Sequence, residues 1–498
     1  MSILSGWRRV AAFFLCFLWV SVGQAQPLAE KVREHVFANG LRLLVVERSN
    51  APIFTAHLTV GVGSVDETNG NRGVAHFLEH LRFKGTKTLG TRNYAAEKPL
   101  LEAIEETGET LDRLRRDPRA DQQQIAALET RLAELQHKHQ AFVVSDEASN
   151  IYARNGGVGY NAFTSKDLTS YVVSLPSNKL ELWAAVESDR MANTVLREFY
   201  TERQVILEER RRSYDGNPRG LLYEHLLATA FIAHPYRHPI IGWSSDIENL
   251  SPADVRGFMD KYYAPANTVI ALVGDVDFDA CVDTVGRYFG HLPAGTVVPP
   301  VATIEPVQRG ERRVEVVFDA QPMLAIAYHK PTLPAADDYV FDVIDLLLGY
   351  GRTSQLYQRL VVEKQLAADV ATYGAPGARY PNLFVISVVP RYPHTVEELE
   401  KAVYQELERF GREPVSETDL DRIRRRLQLD QLRSLQDNDG LARTLTHFQT
   451  IVGDWRYLTE YDRRIAAITP ADVSDVVRRY LTAENRTVAV LKPKGQTP

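Results

Sequence analysis

Gly73-Val74-Ala75-His76-Phe77-Leu78-Glu79-His80 sets two histidines four residues apart in an apolar frame. On a helix, residues i and i+4 share a face, so the two imidazoles lie one above the other. Two neutral imidazoles so placed can hold one Zn²⁺, each about 2.0–2.1 Å from the ion. Glu79 projects close to the same face and suits proton transfer better than ligation. Phe77, Leu78 and Leu81 would bury the helix, and Gly73 and Ala75 provide a small-residue entry. The alternative is two surface histidines beside a glutamate. A chain with 13 histidines in 498 residues would show the pattern by chance about 0.02 times, which favours the metal.

Two histidines leave a catalytic zinc one protein ligand short, because such sites usually take three and a water. The charged segment Thr201-Glu202-Arg203-Gln204-Val205-Ile206-Leu207-Glu208-Glu209 offers carboxylates. Glu202 and Glu209 are two helical turns apart and share a face, whereas Glu208 is rotated by about 100° from Glu209. One of these three should face the metal. Read alone, the segment is equally a solvated acidic helix with Arg203, Arg210 and Arg211 as neighbours.

Composition narrows the class. The chain is 44% hydrophobic and 24% charged, ordinary for a globular protein, and its net charge of −6 gives no reason to expect nucleic acid as a partner. Arg8 and Arg9 precede an apolar run from Val10 to Val22, followed by Gly23-Gln24-Ala25. That pattern predicts a signal peptide over residues 1–25, export to a periplasmic space and cleavage near Ala25; an uncleaved N-terminal membrane anchor is the alternative. No membrane contact is expected beyond it. Cys16 would leave with the leader, and Cys281 alone could form no intramolecular disulfide.

Asn39-Gly40 between apolar runs predicts a hairpin, and Ile53 to Val62 alternates as a further strand. About residues 98–145, apolar residues at helical spacing flank Asp117-Pro118 and predict an inserted helical hairpin, either a docking arm or a pair packed on its own body. The chain also repeats itself. Ser251-Pro252-Ala253-Asp254-Val255 matches Thr469-Pro470-Ala471-Asp472-Val473, and at the same offset Tyr262 matches Tyr480 and Asn267 matches Asn485. Each copy reads as a Pro-started, capped helix followed by a strand. Two similar halves follow: a first domain over 26–292, a Pro-rich linker over 293–306, and a second domain over 307–498 that has no H-x-x-E-H.

His76-Phe77-Leu78-Glu79-His80, Phe83-Lys84-Gly85-Thr86 and the Glu202–Glu209 helix together resemble the pitrilysin/insulinase family of zinc metallopeptidases, whose H-x-x-E-H inverts the zincin order. The resemblance is strongest to its two-domain members, similar to mitochondrial processing peptidase subunits and their bacterial relatives. It spans nearly the whole mature chain, with Asn161-Ala162-Phe163-Thr164, His234-Pro235-Tyr236 and Val273-Gly274-Asp275-Val276 as further landmarks. It implies an α+β fold of two homologous α/β roll domains, each a mostly antiparallel sheet with helices on one face. It implies Zn²⁺ held by His76, His80 and Glu209, Glu202 supporting the ligands, Glu79 as general base for a zinc-activated water, and an extended peptide adding at the strand of Asn161 and Ala162.

One departure bears on partners. Family members carry a substrate-clamping Arg and Tyr in the second half, and the aligned stretch here is Val361-Val362-Glu363-Lys364-Gln365-Leu366-Ala367-Ala368. Val362 stands for the Arg and Ala368 for the Tyr, and neither side chain donates a hydrogen bond. The expected function is therefore an exported zinc endopeptidase subunit acting on peptides or unfolded segments. It would form a heterodimer with a relative that keeps the Arg and Tyr but lacks H-x-x-E-H. The alternatives are a non-catalytic scaffold subunit and a maturation peptidase dedicated to one peptide.

Overall fold

A computed structural model describes residues 28–494, so the leader and its cleavage point lie outside the described residues. The alternating apolar runs pair into two sheets. The first is built from β1 (Val32–Val36), β2 (Arg42–Glu47), β3 (Ile53–Val60), β4 (Val158–Thr164), β5 (Thr169–Pro176) and β6 (Thr268–Gly274), in the order β1-β2-β6-β3-β5-β4. The second comprises β7 (Arg312–Val317), β8 (Met323–Lys330), β9 (Ala367–Ala375), β10 (Asn382–Pro390) and β11 (Arg486–Lys492), ordered β7-β11-β8-β10-β9. In each sheet one pair is parallel, β2 with β6 and β7 with β11, and the rest are antiparallel. The second order is the first without β1. The fold is thus α+β, with the sheet pattern given twice.

The sequence repeat does the same physical work in both copies. Ser251 and Thr469 each close a capping box, with Asp254 and Asp472, on the helices Pro252–Tyr262 and Pro470–Tyr480. Asn267 Nδ2 then donates to the Tyr262 carbonyl at 3.0 Å, and Asn485 Nδ2 to the Tyr480 carbonyl at 2.8 Å. Each asparagine ties the chain entering β6 or β11 back to the end of the helix before it.

One face of the first sheet packs Leu43, Val45, Phe54 and Leu58 against the apolar side of the helix Val74–Arg82, through Phe77, Leu78 and Leu81. The opposite face, through Leu44, Val46, Ala271 and Val273, is covered by Leu441, Ala442 and Leu445. Those three lie on the helix Asn438–Val452 of the second half. The exchange is reciprocal. The helix Pro218–Ala230 of the first half lays Leu222, Leu226 and Leu227 on Ala325, Val385, Ala489 and Leu491 of the second sheet. Each sheet therefore has its own helices on one face, as expected, and a borrowed helix on the other. His57, fully buried on β3, pairs with Asp439 of the borrowed helix at 2.8 Å.

The inserted segment is two helices, Tyr94–Arg115 and Gln122–His139, joined by a turn at Asp117-Pro118 and packed on the first half. Buried ion pairs hold it there. Asp112 receives two hydrogen bonds from Arg203, at 2.7 and 2.9 Å. Glu97, with no exposed surface, receives Arg197 and His139, each at 2.7 Å. Burial alone would raise the Glu97 carboxyl, but the bonds from His139 and Arg197 outweigh it and hold it down to about 2. A carboxyl with a folded pKa below its unfolded value of about 4.3 adds stability that is present above that value and lost as the pH falls toward 2. Accordingly, Glu97→Gln should melt below the parent at pH 7, and the gap should narrow between pH 4.5 and 3 in thermal scans. A gap constant over that range would contradict the role given to Glu97.

Candidate metal centre

The His76 helix begins where only glycine fits. Gly73 sits at φ 96°, and a Cβ there would lie 2.4 Å from the Ile241 carbonyl oxygen. Glycine brings no side chain to cap the first turn. The Glu67 carboxylate does so from upstream, accepting from the Gly73 and Ala75 amides at 3.0 Å each. When ionised, this carboxylate also meets the positive end of the helix. Arg72 secures the loop by donating to the Glu67 carbonyl at 2.7 Å. Burial pushes the Glu67 carboxyl up to about 8, against the two amides. In the sequence Glu67 shows only as an acidic residue just before a helix start that has no capping side chain.

The two imidazoles lie with ring centroids 4.7 Å apart. His80 Nδ1 donates to Glu202 Oε1 at 2.8 Å, which leaves Nε2 as the lone-pair nitrogen. Glu202 Oε2 in turn takes Lys84 Nζ at 2.7 Å, and Lys84 also approaches Glu198 at 3.4 Å. Burial works to raise the Glu202 carboxyl, but the bonds from His80 and Lys84 win and hold it below its ordinary range. Burial and the neighbouring His80 push His76 down to about 3, so its ring is neutral at physiological pH.

Glu209 faces both rings, 3.7 Å from His76 Nε2 and 3.7 Å from His80 Nε2. His76, His80 and Glu209 offer ligand atoms that all lie within 4.8 Å of one another, the sole such trio among the described residues. Ligand atoms around a tetrahedral Zn²⁺ are about 3.3 Å apart, so two nitrogens and a carboxylate at these separations fit that ion after a small contraction. Glu208 points elsewhere. Its carboxylate is engaged by Arg211 and Arg212 at 2.7 Å on the surface.

Glu79, 8% exposed, is held by the Thr164 hydroxyl, which donates to Oε2 at 2.6 Å. Burial raises the Glu79 carboxyl, opposed by that hydrogen bond. Thr164 ends β4, the strand of Asn161 and Ala162, which pairs on one side with β5 and is otherwise an open edge. In the sequence Thr164 shows only as the last residue of the Asn161-Ala162-Phe163-Thr164 landmark. Val362 and Ala368 are exposed in the second half, on the turn Tyr357–Glu363 and at the start of β9.

Comparison with known proteins identifies the family of the chain. The family model for insulinase, peptidase family M16, matches residues 42–111 and 132–243, and that for the peptidase M16 inactive domain matches 249–427. Residues 112–131, between the matched segments, hold the tip of the inserted hairpin. The chain is 26% identical over 476 residues to the zinc protease PqqE of Helicobacter pylori, covering 94% of each. It is 22% identical over 484 residues to a probable mitochondrial-processing peptidase subunit beta of Arabidopsis thaliana, covering 94% of this chain and 80% of that one. The crystal structure of a protease from Helicobacter pylori superposes with a TM-score of 0.78 at 26% identity, covering 93% of this chain and all of that one. No described helix is long and apolar enough to cross a membrane.

Glu67→Ala should destabilise the folded chain by about 1–3 kcal/mol for each amide left unpaired. Glu67→Gln, which keeps one carbonyl oxygen, should cost less. Urea unfolding of the three proteins orders them, and equal midpoints would remove the capping role.

Proposed function

The chain belongs to the insulinase family of peptidases, M16, and on that premise we propose that it is a zinc-dependent endopeptidase subunit that cuts peptides or unfolded segments. The observation that carries this reading is the convergence of His76, His80 and Glu209 with Glu79 beside them on one helix. His76 Nε2, His80 Nε2 and the Glu209 carboxylate would hold the ion, with Glu202 fixing the His80 tautomer. Zn²⁺ so held supplies a Lewis acid for the scissile carbonyl and lowers the pKa of water beside it. Glu79 accepts the proton of the attacking water and returns it to the leaving amine. Thr164 keeps that carboxylate turned into the site. Asn161 and Ala162 receive the substrate as an added strand on the open edge of β4. The periplasm is the proposed location, supported by the leader pattern in residues 1–25.

The partner proposal rests on Val362 and Ala368. Amide hydrolysis builds negative charge on the carbonyl oxygen, and one oxyanion donor is typically worth about 2.7–4 kcal/mol. These two side chains supply none, so a related subunit bearing Arg and Tyr is proposed to complete the site. The Arabidopsis relative is itself named as a subunit.

The mature chain should bind one Zn²⁺ by elemental analysis, and His80→Ala should lose it. Glu79→Gln should keep the metal while turnover of an unstructured peptide falls at least a hundredfold. Undiminished zinc in the His76→Ala, His80→Ala double variant would sink the ligand assignment. A scaffold subunit would leave the peptide intact with or without a partner.

Activity should be weak in the purified chain and rise on mixing with a relative that carries the Arg and Tyr. Val362→Arg with Ala368→Tyr should restore part of it without that relative. Full activity from the rigorously purified unmodified chain would defeat the heterodimer.

A further inference from the structure

In the second half, the helix Ala336–Leu348 follows β8 as the His76 helix follows β3. It carries no histidine. Asp338, Asp342 and Asp345 fall instead at i, i+4 and i+7, on one face. Together with Lys330 of β8 and Asn382 of β10 they line a cavity of about 250 Å³. Lys330 and Asn382 are direct cross-strand partners.

The charges in this cavity do not balance. The Lys330 ammonium is taken up by Asp338 and by the Pro331 carbonyl. Asp342 receives the Tyr461 hydroxyl at 2.9 Å, a neutral donor. Asp345 Oδ1 is buried and has no hydrogen-bond partner among the described residues. Asn382, 4% exposed, donates through Nδ2 to the Gly377 carbonyl at 2.5 Å. That bond fixes the amide, so the buried atom without a partner is its oxygen, Oδ1. Two acceptors without a partner among the described residues, Asp345 Oδ1 and Asn382 Oδ1, thus belong to residues lining one cavity, beside the Asp342 carboxyl, and the lysine that lines it is bonded to Asp338. Burial pushes Asp342 up to about 7 and Asp345 up to about 6, against the pull of Lys330 on both and of the Tyr461 and Thr372 hydroxyls.

Water alone would satisfy the hydrogen bonds, whereas a cation would also favour the ionised form of both carboxyls. The free donor atoms are all hard oxygens, two carboxylates and an amide carbonyl, with neither imidazole nor thiolate. That set suits Ca²⁺ or Mg²⁺, which keep several waters, and not Zn²⁺. We propose that this cavity binds one hydrated divalent cation of the oxygen-preferring class, with Asp342, Asp345 and Asn382 as its protein oxygens. The second half then keeps an ion at the helix that corresponds to the His76 helix, with a structural role in place of a catalytic one.

The test is calorimetric titration of the zinc-loaded mature chain, freed of other metals, with CaCl₂ and separately with MgCl₂, alongside thermal melts. One ion per chain should bind saturably and raise the melting temperature. Asp345→Asn, which keeps the side-chain shape, should weaken binding at least tenfold, and Asn382→Ala should do likewise. Both variants are first checked for native circular dichroism. His80→Ala should bind the added cation as the parent does, which separates this site from the proposed zinc centre whatever the fate of that assignment. Three results would overturn the proposal: no saturable binding of either ion, undiminished affinity in both cavity variants, or loss of binding in His80→Ala.

Discussion

Glu202 holds an imidazole on one carboxylate oxygen and an ammonium on the other, and the geometry of the centre depends on that bridge. A histidine presents a lone pair in a defined direction only when its other nitrogen is occupied. Glu202 sets the His80 tautomer, and Lys84 keeps the carboxylate ionised against its burial. Because Glu202 and Glu209 lie on one helix, Phe199–Arg210, two turns apart, the contact that orients His80 also sets the rotation of that helix. Glu209 then faces the rings and Glu208 faces the surface arginines. One charged contact therefore fixes both the direction of a nitrogen and which carboxylate of the helix faces the rings.

The contact needs two helices held in register, and the cross-covered sheets supply the frame. A sheet buried on one face only would leave Leu44, Val46, Ala271 and Val273 in water. At about 25 cal/mol per Å² of apolar surface, that exposure would cost the first half much of its stability. The borrowed helix Asn438–Val452 removes it, and Pro218–Ala230 does the same for the second sheet. Pro218 opens the helix directly after the turn that ends the Glu209 helix. The polypeptide that presents Glu209 thus runs straight into the element that grips the other half, which couples the centre to the packing of the two halves.

Much of this was legible in the sequence because it is local. The i, i+4 histidines, the capping boxes at Ser251 and Thr469, the Asn39-Gly40 hairpin and the inserted helices are written in neighbouring residues, and the structure places each as read. Helical spacing also narrows the carboxylate that would join the two histidines to Glu202, Glu208 or Glu209 but cannot choose, since the choice depends on the rotation of one helix against another. Family resemblance implies Glu209, and the structure sets that carboxylate 3.7 Å from both imidazoles. What escaped was non-local. Glu67 caps a helix six residues away across a loop, and Thr164 reaches Glu79 across 85 positions in the chain. The helix exchange leaves no local trace either, since the apolar stripe of Asn438–Val452 says that the helix is buried and not against which sheet.

The repeat explains how the two halves can differ in chemistry while sharing a frame. The elements they have in common are those that build the sheet: the capped helix, the asparagine tie and the parallel pair at β2–β6 and β7–β11. The capped helix of the first half packs against the His76 helix, but none of these elements supplies His76, Glu79, His80 or Glu209. The residues that do touch it sit on the helix after β3, on β4 and on the segment before Pro218, where the second half is free to carry other side chains. At the corresponding helix it carries aspartates in place of histidines, and the stretch leading into β9 carries Val362 and Ala368. The histidines at i and i+4 and the buried Glu79 thus lie on the helix Val74–Arg82 of the first half, while the counterpart helix Ala336–Leu348 carries no histidine. A duplicated scaffold preserves what folding needs in both copies, and it leaves the reactive groups to one of them.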